Sequence, residues 1–305
     1  MRTHAFLGFA VAVLLLSSSF DVARASTSEW SDWSEPVNLG AVNSSSNEQN
    51  AFLSKDGLTI YFTSDRPGGL GSLDLWVAHR ASIQSDWQPP VNLGAPINSS
   101  VADFGPNLSI DGHLLFFASF RPGGQGGSDI YVSRRDNPDD DFGWQTPVNL
   151  GPPINTPDQD QAPFYRQNVE DGQGNLYFNR GVLTAQRGDI YYASIDRDGE
   201  PNGPVVFVTE LNTAVNDYAV TIRHDGREIF FTSSRDGTND IWTTTRQSVH
   251  HPWTAPEKVG PPISTADNEV TPQLSFDGRT LIFGTNRAGG SGGNDLWMST
   301  RTPGH

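Results

Sequence analysis

The sequence predicts an all-β protein: a five-bladed β-propeller with four antiparallel strands per blade. Three observations predict it. A unit of about fifty residues, clearest over residues 87–134, recurs five times, and self-similarity at that period marks a propeller, solenoid or array. Each unit carries an Asp-Gly pair, at Asp56-Gly57, Asp111-Gly112, Asp171-Gly172, Asp225-Gly226 and Asp277-Gly278, and later an aspartate followed by an aliphatic and an aromatic residue, at Asp74, Asp129, Asp189, Asp240 and Asp295. Finally, the two ends complement each other: a lone fourth-strand copy stands at residues 33–39, and the last unit stops after its third strand at Arg301. The N-terminal strand should therefore complete the last blade and leave no open sheet edge.

Within the second unit, residues 103–109, 114–119 and 129–133 read as strands, and residues 87–93 supply the first full copy of the fourth. Asp-Gly joins the first two strands because glycine accepts positive φ without steric cost. The second and third are joined by a glycine-rich run, Arg121-Pro122-Gly123-Gly124-Gln125-Gly126-Gly127 in this unit. No Lys-Ser/Thr follows that run and no helical pattern opens after it, so it reads as a turn rather than a phosphate loop.

Arg2, the apolar run at 5–16 and Ala23-Arg24-Ala25 have the form of a secretory signal, with Ser26 as first mature residue. The apolar run is too short to span a bilayer. The expected organisation is a signal over residues 1–25 and a single propeller over residues 26–305, secreted or periplasmic. The net charge is −15, and losing Arg2, Arg24 and Asp21 with the leader makes the mature chain one unit more acidic. Such a surface argues against nucleic acid or an anionic membrane as partner and allows cations. There is no cysteine, which excludes thiol nucleophiles and Cys-ligated metals and leaves the core to stabilise an exported fold without disulfides.

The pattern PVNLG-x-x-INS…LS-x-DG…F-x-S-x-RPGG-x-GG-x-DIY, spread over residues 33–301, resembles the TolB-type, WD-like β-propeller repeat of exported bacterial proteins, often joined to OmpA-type modules. The resemblance implies a propeller that binds proteins, glycans or cell-wall material, usually without catalysis. The third unit departs from the pattern: residues 180–188 replace the glycine-rich loop.

In a propeller the first strand of each blade lines the axis. A carboxylate opens that strand in every unit, at Glu48, Asp103, Asp160, Asp217 and Glu269, with Asn43, Asn98, Asn155, Asn212 or Ser264 five residues earlier. If the ring closes, these acids are expected to converge on one axial mouth and to need compensation. One compensator is Ca²⁺, a hard cation taking six to eight oxygens, with all five acids as ligands and Asp103, Asp160 and Asp217 as candidate catalytic groups. The other is internal: Arg66, Arg121, Arg180, Arg235 and Arg287 end the second strands on the same face. They are candidates for ligand binding, or for a bracing acid–arginine–acid network with the third-strand aspartates.

His79, His113, His224, His250 and His251 fall toward the opposite face, which argues against a Ser-His-Asp arrangement at the acidic mouth. Trp76, Tyr131, Tyr191, Trp242 and Trp297, like Trp33, Trp87, Trp144 and Trp253, recur at fixed positions and read as inter-blade core. The expected function is an exported propeller binding a small molecule, glycan or protein at an acidic, Ca²⁺-holding mouth. The alternative, by analogy with propeller lactonases that hold calcium in the axial channel, is a Ca²⁺-dependent lactone or ester hydrolase using metal-bound water. A third possibility is a glycosidase working through two carboxylates.

Overall fold

The computed structural model describes residues 29–167, 174–182 and 187–304. The predicted signal peptide and the blade-three pair Asp171-Gly172 lie outside them. Among the described residues, twenty strands form five separate four-stranded antiparallel sheets. The first strand, β1 (Val37–Asn38), is the outer strand of the last blade, pairing with β20 (Asp295–Thr300) so that Val37 faces Met298 and Asn38 faces Trp297. Blade one holds β2 (Glu48–Leu53), β3 (Thr59–Ser64), β4 (Asp74–His79) and β5 (Val91–Asn92). Blade two holds β6 (Asp103–Leu108), β7 (Leu114–Ser119), β8 (Asp129–Arg134) and β9 (Val148–Asn149). Blade three holds β10 (Gln159–Gln167), β11 (Gly174–Val182), β12 (Arg187–Ile195) and β13 (Val206–Phe207). Blade four holds β14 (Asp217–Ile222), β15 (Glu228–Ser233), β16 (Asp240–Thr245) and β17 (Glu257–Lys258). Blade five is completed by β18 (Glu269–Leu274) and β19 (Thr280–Thr285). The ring closes through the N-terminal strand, as the ends of the repeat predict.

The outer strands are shorter than their sequence runs. Pro36, Pro90, Pro147 and Pro256 stand immediately before β1, β5, β9 and β17, and a proline has no N–H to give the ladder. In blade three the departure from the repeat has a regular outcome. Where blades one, two and five have a glycine-rich loop, β11 and β12 continue pairing through Arg180↔Asp189, Gly181↔Gly188 and Val182↔Arg187.

Five hydrophobic clusters hold the ring, each shared by two neighbouring blades. The second strands explain this. Adjacent bulky pairs such as Phe116-Phe117 and Phe230-Phe231 point to opposite sheet faces, so each blade serves both neighbours, and all four rings are buried. Each such ring contributes about 1.5–3 kcal/mol. Trp87, Trp144 and Trp253 pack beneath Arg80, Arg135 and Arg246, with guanidinium-to-ring distances of 4.5, 4.4 and 4.1 Å. Trp33 takes the same place in the closing blade beneath Arg301 at 4.5 Å. The recurring tryptophans are core, as expected.

Every inner strand carries a bulge. The residue two after the opening acid has positive φ in all five blades: Asn50, Gly105, Ala162, Ala219 and Thr271, with φ between 50° and 68°. Only one is glycine, and a threonine held there is uncommon. Neighbouring blades help hold the geometry: Gly105 N–H donates to Thr63 Oγ1 and Thr271 N–H to Thr232 Oγ1, both at 2.9 Å. No helix among the described residues is long and apolar enough to cross a membrane.

Candidate ligand-binding funnel

The five opening acids lie where the repeat places them, at the start of the inner strands, but they do not face one another across the axis. Each is fully buried and turned into its own blade. Arg66 pairs with Glu48 at 2.9 Å, Arg121 with Asp103, Arg180 with Asp160 and Arg235 with Asp217 at 2.7 Å, and Arg287 with Glu269 at 3.1 Å. A hydroxyl four residues earlier donates to each acid, from Ser44, Ser99, Thr156, Thr213 and Thr265 at 2.6–2.8 Å, and the backbone N–H of that residue donates as well. Each arginine also donates to a backbone carbonyl, of Val42, Ile97, Ile154, Leu211 or Ile263. Its planar group lies against two rings of the blade; Arg235, for example, sits 5.1 Å from Phe231 and 4.7 Å from Trp242. This is a buried, multiply hydrogen-bonded ion pair, costly to break because removing one partner leaves a buried charge.

That geometry corrects the expectation of an acidic mouth. A Ca²⁺ site needs several oxygens converging on one point, whereas Glu48, Asp103, Asp160, Asp217 and Glu269 spend theirs on separate blades. Among the described residues no three Asp, Glu or His side chains lie together as a metal would require, so these residues do not fit the ion. Nor do Asp103, Asp160 and Asp217 face a common space as catalytic groups would. Burial pushes the Asp160 carboxyl above its ordinary value, against the bonds from Arg180 and Thr156. The five arginines are engaged within their blades, the bracing alternative rather than the ligand-binding one.

The network is narrower than the expected acid–arginine–acid, because the third-strand aspartates are held otherwise. Asp74 accepts from the N–H groups of Leu70 and Gly71, Asp129 from Gln125 N–H, and Asp295 from Ser291 N–H. A Cβ on Gly69 or Gly124 would lie 1.7 Å from the carboxylate of Asp74 or Asp129. The glycine-rich loop thus wraps its own blade's acid, and only glycine allows so close an approach. Blades three and four lack that run, and there Arg187 pairs with Asp189 at 3.1 Å and Lys258 with Asp240 at 2.7 Å. The repeated asparagines are clips: the Asn98 side chain accepts from Leu75 N–H and donates to Leu75 C=O, and Asn43, Asn155 and Asn212 do the same to Leu296, Ile130 and Ile190.

What lines the axis is the next residue along. Side chains alternate on a strand, so with the acid turned inward its successor faces the channel. At the loop face, Gln49, Phe104, Gln161, Tyr218 and Val270 surround a funnel of about 390 Å³, together with Asn50, Asn179, Asn239, Asn268 and Asn294. No charged side chain is among its walls. Burial pushes the Tyr218 phenol well above its ordinary value, so it stays a neutral donor. Phe104 stacks on Phe120 at 5.9 Å, and Phe120 is exposed at the rim. Asn179 is 2% exposed, and its Oδ1 receives no hydrogen bond. The funnel narrows at the bulges to a space of about 30 Å³, and beyond it a second cleft opens on the hairpin face.

Sequence reasoning missed these amides because it followed what repeats. A signal was available: Gln49, Phe104, Gln161, Tyr218 and Val270 vary directly after the constant acid, and Asn239 and Asn294 directly precede the third-strand acids. The histidines lie away from the funnel, as expected; His79 pairs with Asp141 at 2.7 Å, and His113 Nδ1 lies 2.9 Å from Arg135 C=O.

No protein-family model matches the chain, and no curated protein does. Solved structures do. The catalytic domain of the Coprinopsis cinerea GH62 alpha-L-arabinofuranosidase is similar with a TM-score of 0.60 at 13% identity, over 90% of this chain and 97% of that one. The alpha-L-arabinofuranosidase of Lactobacillus brevis gives 0.57 at 16%, over 84% and 90%. TolB of Acinetobacter baumannii gives 0.50 at 14%, over 85% of this chain and 56% of that one. At such identities the likeness carries the fold alone, and the fold is the five-bladed β-propeller.

Proposed function

We propose that this chain is a binding propeller that takes a neutral glycan in the amide-lined funnel. The observation that carries it is the funnel wall: amides from four of the five blades, two aromatic rings and no charge. Sugar hydroxyls are donors and acceptors at once, and Asn and Gln offer both functions from one planar group. Phe104 and Tyr218 supply apolar faces for a sugar ring. The unpaired Asn179 Oδ1 is an acceptor whose burial is compensated when a ligand hydroxyl reaches it. The funnel volume falls within the range of small-molecule sites. Two of the structures similar in fold are alpha-L-arabinofuranosidases, so carbohydrate chemistry is at home on this architecture, but the acids of this chain are committed to bracing and the reading is of binding without turnover.

The test is calorimetry of the mature chain against arabino-, xylo-, cello- and chito-oligosaccharides, with Tyr218→Ala and Asn239→Ala alongside. At least one glycan should bind, each variant should weaken it about tenfold or more, and no shortened products should accumulate. Binding that survives both substitutions, or steady hydrolysis, would contradict the proposal.

A further inference from the structure

The channel has a second mouth on the hairpin face with a different chemistry. Among the described residues, Lys55, His224 and Phe276, each standing directly before an Asp-Gly turn, belong to three consecutive blades and meet at the axis there. The His224 ring stacks on Phe276 at 4.1 Å between centroids, and Lys55 Nζ stands 4.7 Å from the Phe276 centroid. Arg166 joins from blade three, its Nη2 3.5 Å from His224 C=O, while its Nε is buried with no acceptor. The cleft measures about 540 Å³, and its floor is apolar, with Phe52, Phe164 and Leu274.

The charges there are unbalanced in an informative way. The chain carries net charge −15, and the braces of all five blades are ion-paired, yet neither Lys55 nor Arg166 pairs with a carboxylate among the described residues. Most acids nearby are engaged. Asp56 accepts from Ser54 and Leu58, Asp111 from Ser109 and His113, and Asp141 binds Arg135, His79 and Tyr61. Among the described residues, Asp56, Asp111 and Asp139 on the rim form no ion pair. His224 reports the local field: burial first, then Arg166 and Lys55, hold its imidazole below the ordinary 6.5.

We infer that the hairpin-face mouth, where Lys55, Arg166 and His224 surround Phe276, binds a carboxylate carried on an apolar ring. Lys55 and Arg166 give the carboxylate charge-assisted hydrogen bonds, that of the half-buried Arg166 strengthened by its burial. The neutral His224 supplies one further hydrogen bond. The ring of the ligand packs on Phe276 and the phenylalanine floor. The constriction at the bulges separates this site from the funnel, so the inference stands independently of the glycan reading.

Phenylacetate and its neutral isostere phenylacetamide test it, titrated into the full mature chain at neutral pH by calorimetry, with the His224 ring protons followed by NMR. Phenylacetate should bind about tenfold or more tightly than the amide and shift the His224 signals. Lys55→Gln and Arg166→Gln should each remove most of that preference while leaving phenylacetamide unchanged. Because Arg166 packs on Gly226, the exposed Lys55→Gln decides alone should the arginine variant fail to fold. Equal binding of acid and amide, an unchanged preference in Lys55→Gln, or no phenylacetate binding by about 10 mM would overturn the inference.

Discussion

The five opening acids and the five residues that follow them sit one peptide apart and behave as opposites. Glu48, Asp103, Asp160, Asp217 and Glu269 repeat without exception, are fully buried and are multiply hydrogen-bonded. Gln49, Phe104, Gln161, Tyr218 and Val270 differ in every blade but one and line an open funnel. A feature present in every blade serves the blade, since each repeat must fold against its neighbour. The differences between blades are what a ligand on the axis can read. In this ring, repetition marks bracing and variation marks the candidate site.

The largest effect expected is on ring closure. Deleting residues 26–40 removes β1, Trp33 and Leu39, opens a sheet edge and uncovers Arg301. The loss should reach about 5 kcal/mol or more from the buried rings and side chains alone, read as a collapse of the urea midpoint. A truncated chain melting with the parent would show that closure contributes nothing.

Next come the braces. Arg121→Ala leaves Asp103 buried without its cation and should cost about 3–5 kcal/mol in urea unfolding, with glycan affinity unchanged in whatever fraction stays folded. If stability holds and binding disappears, Arg121 belongs to the site and the contrast between acid and successor fails. A smaller loss, about 2–3 kcal/mol, is expected of Gly124→Ala, whose Cβ would lie 1.7 Å from Asp129 Oδ2. Gly260→Ala meets nothing within 4 Å and should be neutral within about 0.5 kcal/mol.

The smallest effect is a slope. Burial raises the Asp160 carboxyl above 3.8 in the fold, so the folded chain holds this proton more tightly than the unfolded one. Its contribution is present below 3.8 and is lost as pH rises through the folded value. Asp160→Asn lacks that dependence. Its stability relative to the parent should therefore climb between acid and neutral pH, measured by urea unfolding at several values; a relative stability that falls over that interval would contradict the burial argument.

Architecture was legible in the sequence because it is periodic. The Asp-Gly pairs, the glycine-rich runs and the unmatched strand at residues 33–39 state the blade count and the closure. Direction was not legible. Whether Asp103 or Phe104 faces the axis differs by one step of the strand's alternation, and that step is set by the bulge at Gly105 and by where Arg121 finds its partner. Nor does any pattern announce that Asp129 folds a loop around itself while Asp189 takes Arg187. The hairpin-face cluster was hidden for the same reason, since Lys55, His224 and Phe276 come together only through ring closure.

The central claim is that the variable residues, not the repeated acids, form the site. Asn179→Ala tests it most directly, because the residue is buried in the funnel wall with an unpaired Oδ1 and belongs to no brace. Titrating a bound oligosaccharide into the parent and this variant should show affinity falling about tenfold, with the melting temperature held or raised as an uncompensated buried group is removed. Unchanged affinity with a destabilised fold would contradict the account, because Asn179 would then be one more brace.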